Sequence, residues 1–499
     1  MNYPFLSSPC PCLKRVLGEV RNLEQAQEIR LTDGMPDIGR VLCGWGQILQ
    51  RSKEWNGDSV SLSAGMMVWV LYAPEDGSET RIVEGWIPFS ISWDLPESVP
   101  EGRLRIHCLT RFVDARNVSA RKIMVRVGIG AMAEAFVPYE AQVYAPQGDM
   151  ENIQLKKSKY PLRIPTEAGE KLFSLEETLD LPPTVPPMEK LILSTMDWEI
   201  SEQRVMTDKA VFKGSVHVHI LYKGSEGKLH SWDFSVPFSQ FAELETSCSQ
   251  EAQVGILCGI TGLETEQTDG NSLILRASLT AQYLIEDQKI LEIVEDAYRP
   301  GSTLELQQEK LEMSRTLEQR RDSVTAEAAI PGDGEITADA VFLPDFPRYR
   351  KAEGKVITDL SGTFQVLYYG GGGELQSAVS RWEDQKVMDA SQQVELHTMP
   401  LSPSEPQIFL GGGDRKVRAE LPLLTTVEAG EGMAMVTGLA EGEDREPDPA
   451  RPSLILKRAG DRDLWDLAKE SGSTMDAIRE ANHLEADPVP GQMLLIPIL

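Results

Sequence analysis

Gly65-Met66-Met67-Val68-Trp69-Val70-Leu71-Tyr72-Ala73-Pro74-Glu75-Asp76-Gly77 is an apolar run that starts after a glycine and ends in a polar turn. Apolar side chains at successive positions suit a strand covered on both faces, and Pro-Glu-Asp-Gly is turn chemistry. With the run around Trp86-Ile87-Pro88-Phe89 behind it, the stretch reads as a β-hairpin. The pattern occurs twice more. Ile220-Leu221-Tyr222 follows Gly214 and leads into Gly224-Ser225-Glu226-Gly227, and Val366-Leu367-Tyr368 follows Gly362 and leads into Gly370 to Gly373. Tyr72 and Tyr222 are 150 residues apart, and Tyr222 and Tyr368 are 146 apart. A near-constant period argues for tandem repeats over chance matching of apolar triplets.

The likeness extends around the hairpins. Trp86-Ile87-Pro88-Phe89 corresponds to Phe234-Ser235-Val236-Pro237-Phe238, and Met35-Pro36…Val41-Leu42 to Val185-Pro186…Leu191-Ile192. Copies two and three share Arg204-Val205-Met206-Thr207-Asp208 and Lys355-Val356-Ile357-Thr358-Asp359. Copy three has Arg381-Trp382-Glu383 in place of the Pro-Phe pair and has diverged. The later half of each copy also reads as strands, and helical periodicity is scarce between residues 35 and 440. The expected fold class is mainly β: three tandem β-sandwich-like repeats, with a small βααβ domain at the C-terminus.

Divisions follow from composition. The repeats are expected at 25–145, 181–301 and 329–440. Residues 146–180 read as a connector, and 302–328, rich in Glu, Gln and Arg with Leu304, Leu306, Leu311 and Met313, as a linker or an amphipathic helix. Residues 441–453, EGEDREPDPARPS, are acidic and proline-rich, so they are expected to stay extended and to tether the last module without packing it.

That module is residues 454–499. The apolar run Leu454-Ile455-Leu456 precedes Gly460-Asp461, and Leu464, Leu467 and Ala468 then share a helix face. Gly472 stops the helix, and Ser473-Thr474 with Asp476 opens a second. Pro490-Gly491-Gln492 is a turn before a strand over Met493 to Ile496. This order resembles the LysM module, carried by Gly460-Asp461, Leu464-Trp465, Leu467-Ala468, Ile478, Asn482, Pro490-Gly491-Gln492 and Leu495-Ile496-Pro497. The resemblance implies a partner- or carbohydrate-binding surface at Gly460, Asp461, Arg462, Asp463, Leu464, Trp465, Asn482, Pro490 and Gly491. Trp465 has two readings, a core residue against the sheet or an interface anchor. The module has five basic and eight acidic residues, so gross positive charge does not drive its contacts.

Repeated β-units ahead of a LysM module resemble the clostridial SipL family, whose repeat is the SPOCS unit. The residues are Pro36-Asp37-Ile38-Gly39-Arg40-Val41-Leu42, the three Leu-Tyr hairpins, the Pro-Phe pairs and the terminal module. The resemblance implies a protein of the mother-cell cytoplasm at the forespore surface. It implies coat assembly through the basement-layer ATPase, stage IV sporulation protein A, and other coat proteins. The competing expectation is binding of N-acetylglucosamine polymers of wall or cortex.

Charge and chemistry bound the rest. The formal charge is −28, which disfavours nucleic acid and anionic lipid as partners. The N-terminus has no basic start with an apolar core, so no secretory signal is expected, and no apolar run approaches spanning length, so no membrane span is expected. Six scattered cysteines suit a reducing compartment. Cys10-Pro11-Cys12 has two possible metal donors, but no Cys-x-x-Cys spacing is present.

No nucleophile elbow, zinc-protease helix or phosphate loop appears, so neither catalytic residues nor cofactors are expected. His217 and His219 share a strand face and could hold a metal. Copy one has Met67 and Trp69 at those places and copy three has Thr363 and Gln365, which favours a packed or surface pair.

Overall fold

The computed structural model describes every residue except 1, 149, 151, 270, 332–335, 353, 390–393, 412–413, 445–451 and 460–462. After a two-residue strand β1 (Asn2–Tyr3), unit 1 comprises β2 (Phe5–Arg30), β3 (Ile38–Trp55), β4 (Ser59–Pro74), β5 (Arg81–Asp94), β6 (Arg103–Ser119) and β7 (Lys122–Pro146). The strands form two antiparallel sheets, β3-β4-β5 and β2-β7-β6. Alternate side chains such as Leu62, Met66, Val68, Ile87 and Val127 fill the space between the sheets.

Unit 2 repeats this with β8 (Gln154–Asp180), β9 (Met188–Met206), β10 (Lys209–Gly224), β11 (Leu229–Glu243), β12 (Gln253–Asp269) and β13 (Ser272–Tyr298), ordered β9-β10-β11 and β12-β13-β8. Unit 3 comprises β14 (Ser302–Ala329), β15 (Ile336–Pro344), β16 (Arg348–Ala352), β17 (Lys355–Tyr369), β18 (Leu375–Asp389), β19 (Val394–Pro400), β20 (Gln407–Gly411) and β21 (Asp414–Asp444). Here the counterpart of β9 is split into β15 and β16, both paired to β17, and that of β12 into β19 and β20, both paired to β21. Pro344 and Pro347 lie at the first break, Pro403 and Pro406 at the second. Proline cannot donate to a ladder, so each long strand is interrupted there.

Two expectations need correction. Residues 146–180 are not a connector throughout: 154–180 form β8, paired with β13 from end to end. Residues 302–328 are neither linker nor helix: they lie in β14, paired with β21. A register shift between Gln307 and Gln308 moves the inward-facing set from the half-buried Leu304 and Leu306 to the buried Leu311 and Met313. A bulge of this kind breaks the two-residue period and hides a strand from pattern reading. Likewise β2 pairs β7 from residue 5 onward, so the first unit starts well before residue 25.

The repeated Leu-Tyr pair now has a physical meaning. Successive residues of a strand face opposite ways. Tyr72, Tyr222 and Tyr368 point into the cores of their own units, and each hydroxyl donates to a proline carbonyl, that of Pro36 (3.0 Å), Pro186 (3.2 Å) and Pro331 (3.3 Å). Leu71, Leu221 and Leu367 point the other way, into one core shared by the three units with Trp45, Leu193 and Leu375. The glycine at the head of each run is also explained. A Cβ at Gly65 would lie 1.9 Å from the Trp86 ring, at Gly214 2.1 Å from the Glu199 carbonyl oxygen, and at Gly362 2.5 Å from the Phe342 ring.

The three units pack as one body. Beyond the sandwiches, the first strand of each unit pairs on with the last as a two-stranded ribbon, and the ribbons share a core that includes Cys12, Leu162, Ile293, Leu311, Met433 and Met435. Buried glutamines satisfy backbone groups across units. Gln282 accepts from Ile106 N (2.7 Å) and donates to Ile106 O (2.8 Å), Gln47 accepts from Met196 N (2.7 Å), and Gln365 donates to Gly44 O (2.9 Å). Unpaired buried peptide groups are costly, so these amides tie the packing to one geometry.

Candidate functional site

The C-terminal module forms β22 (Leu454–Arg458), α1 (Leu464–Ser471), α2 (Met475–Asn482) and β23 (Met493–Pro497). Asp463 caps α1, its carboxylate accepting from Asp466 N at 2.8 Å. Gly472 ends α1 at φ 67°, a left-handed conformation glycine adopts freely. Thr474 caps α2 through Ala477 N. Leu464, Leu467, Ala468 and Ile478 are buried against Leu494 and Ile496.

The end of β22 and the turn before β23 are held together. Ala459 N donates to Gln492 O and Gly491 N to Ala459 O, each at 2.7 Å. Gly491 sits at φ 94°, and Arg458 Nε donates to its carbonyl at 3.2 Å. Pro490 is exposed beside it. Gly460, Asp461 and Arg462 lie outside the described residues. Asn482 has a structural part: its side chain donates to Leu495 O (2.6 Å) and accepts from Leu495 N (2.7 Å), closing the outer edge of β23 as a neighbouring strand would.

Among the described residues the module is packed on the body, which corrects the expectation of a tether alone; residues 445–451 lie outside the description. Trp465 is buried, but partly by a residue from elsewhere. Its ring meets Tyr298 edge-on at 4.8 Å, and its Nε1 donates to Asp296 at 2.9 Å. Lys469 Nζ reaches both oxygens of Asp296 (2.6 and 2.8 Å), and Lys156 Nζ reaches Asp463 at 2.9 Å. The Asp466 amide and Lys156 hold the Asp463 carboxyl below its ordinary value, and burial pushes the Tyr298 phenol up to about 12. Trp465 is therefore an interface anchor whose partner is the second ribbon of its own chain.

A second cluster lies where the three units meet, and sequence reasoning missed it. His219 Nδ1 is 3.0 Å from Asp233, its Nε2 forms an ion pair with Asp339 at 2.9 Å, and Trp45 Nε1 donates to Asp339 at 2.7 Å. The two ring nitrogens face different carboxylates, so His219 is packed and paired as an alternative to metal ligation. His217 is more exposed, 3.6 Å from Glu199. Each group comes from a different unit or strand, and spacing carries no signal for that. Glu395, His397 and Glu428 also converge, but the Arg15 guanidinium lies among them, 2.6 Å from Glu428 and 2.8 Å from His397. That cluster already has its cation. Cys10 and Cys12 are buried in the ribbon core.

Comparison with known proteins separates the chain along the same lines. The family model for the SipL SPOCS domain matches residues 187–266, which span β9 to β12 of unit 2, and the LysM domain model matches 458–497. Both are binding modules, not catalytic domains. Curated relatives match in the LysM region. They are proteins named "Probable endopeptidase p60": that of Listeria monocytogenes at 40% identity and that of Listeria seeligeri at 38%, each over 65 residues. The match covers 13% of this chain and 13% or 12% of those proteins. No solved structure matches significantly. With a SPOCS domain match inside its repeated β-body and a LysM domain match at its end, the chain resembles the SipL-like proteins.

Proposed function

We propose that this protein is a non-enzymatic scaffold of spore coat assembly in the mother-cell cytoplasm, acting at the forespore surface. Its LysM module docks the basement-layer ATPase, stage IV sporulation protein A, and the three-unit body offers surfaces to other coat proteins. The observation that carries this is the SPOCS match at 187–266 in the same chain as the LysM match at 458–497. The packing of the units supports it: shared cores and cross-unit glutamines make the body one rigid platform. Contacts on such a platform reinforce one another when a partner engages both body and module. The test is capture of the purified ATPase by the full chain and by a chain ending at residue 444. Capture by the full chain alone supports docking; equal capture by both removes the module from the contact.

A second reading, binding of peptidoglycan or N-acetylglucosamine chains, is favoured by the LysM match and by the 65-residue likeness to the p60 proteins. Co-sedimentation of the full chain with purified peptidoglycan, lost on truncation at 444, would support it.

A further inference from the structure

The end of the second ribbon holds a short motif that its counterparts lack. β13 finishes Asp296-Ala297-Tyr298, whereas β7 finishes Tyr144-Ala145-Pro146 and β21 finishes Gly442-Glu443-Asp444. Asp296 and Tyr298 alternate on the strand and so face the same side. That side carries α1 of the LysM module. The Asp296 carboxylate takes both the Trp465 indole N–H and the Lys469 ammonium, and the Tyr298 ring stands edge-on to Trp465. Lys156, on the partner strand of the ribbon, takes Asp463 in the reverse sense. Tyr298 and Trp465 are 6% and 3% exposed, so the contact is a filled pocket and not a grazing touch.

We propose that the α1 face of this LysM module is a recognition surface for an extended acidic–aromatic peptide segment, and that the chain's own 296–298 occupies it as a competitor. Three features of α1 define the specificity. The indole N–H of Trp465 and the ammonium of Lys469 form a two-donor cradle for one carboxylate. The Trp465 ring receives an aromatic edge two residues further along. Asp463 at the helix start receives a cation from the strand beside it. The occupant that fits these features is a β-strand of a protein with a carboxylate two residues ahead of an aromatic ring.

The seated segment also points to release. The Tyr298 hydroxyl is buried and has no hydrogen-bond partner among the described residues, so the closed state leaves a polar group unsatisfied. A partner strand that satisfies this donor would displace the ribbon. Because ribbon and partner use the same face, apparent affinity falls by the fraction of chains that are closed. The inference deepens the docking reading and rests on it for the identity of the binding face.

Amide hydrogen exchange on the full chain reads the latch without any ligand. Asp296→Ala and Lys469→Glu are each expected to raise exchange across 464–471 by about tenfold, while 215–222 in β10 stays protected as the folding control. The reversed pair, Asp296→Lys with Lys469→Glu, is expected to restore protection. Unchanged exchange in both single variants overturns the latch. The occupant is tested on Asp296→Ala with a peptide of residues 294–300, Val-Glu-Asp-Ala-Tyr-Arg-Pro. The peptide is expected to restore protection of 464–471 at millimolar concentration, and the same peptide with Ala for Tyr is not. No protection, or equal protection by both peptides, overturns the assignment of the surface. Neither readout involves the ATPase, so failure of the docking reading is seen separately in the capture experiment.

Discussion

His219 of the second unit and Asp339 of the third form a buried ion pair, Nε2 to Oδ1 at 2.9 Å, at the meeting point of the three units. Burial alone lowers the imidazole pKa. The charge of Asp339, the hydrogen bond with Asp233 and the charge of Asp233 together outweigh burial and hold it well above the ordinary value. A raised folded value stabilises the protein fully below the unfolded value of about 6.5, and that stability is lost as the pH rises through the raised folded value. His107 has the opposite sign. It is buried, edge-on to Trp198 and Phe346, and burial lowers it to about 4. Its contribution is present above about 6.5 and is lost as the pH falls toward 4. Thermal midpoints should therefore fall on both sides of a plateau. His107→Phe should flatten the acid arm and His219→Gln the alkaline arm, as read by calorimetry across pH. His219→Leu leaves Asp339 buried without its cation and should cost about 3 kcal/mol.

Tyr222 donates to the Pro186 carbonyl at 3.2 Å, and the bond recurs in the other units. Tyr222→Phe keeps the ring in the core and removes one hydrogen bond. Denaturant unfolding should register a loss of about 1 kcal/mol. Leu221→Ala removes buried volume from the core that all three units share, so its cost should reach about 3 kcal/mol. Equal costs for the two variants would mean that the shared core adds nothing beyond the unit itself.

Gln282 is fully buried and bonds both backbone groups of Ile106, with Lys53 Nζ also on its oxygen at 2.8 Å. Gln282→Leu strands two peptide groups of the first unit, each worth about 1–3 kcal/mol when unsatisfied. Exchange of the Ile106 amide should rise more than that of β10, which lies in the same unit as the substitution. The reverse order would place the damage inside unit 2.

Asn482 should behave as a structural residue of the module. Asn482→Ala removes both bonds to Leu495 and should destabilise the module by about 1–2 kcal/mol. Exchange in 454–458 and 493–497 should rise together, with the three-unit body unaffected. Loss of ligand without faster exchange would instead assign Asn482 to the binding surface.

Much of this arrangement is local and was readable in order along the chain. Hairpins, the period near 150, the two short helices, the Gly472 stop and the Thr474 cap all follow from neighbours within a turn or a strand. Misreadings came where local pattern and global pairing part. Residues 154–180 and 302–329 are long strands, yet each pairs with the last strand of its unit, 92 to 144 and 87 to 142 residues on, and β14 shifts register midway. Nothing near Gln307 in sequence announces that shift. Trp465 was identifiable as core or anchor, but its partner Tyr298 lies 167 residues earlier.

By itself the sequence determined the β class, the threefold repeat and a βααβ module at the end, because alternation, turn chemistry and helix capping act over a few residues. Only the tertiary structure decided that the units close on common cores, that His219 meets Asp339, and that the module rests on the second ribbon. Those contacts join residues whose spacing along the chain carries no periodic signal, and they form only when burial of apolar faces brings separate units together.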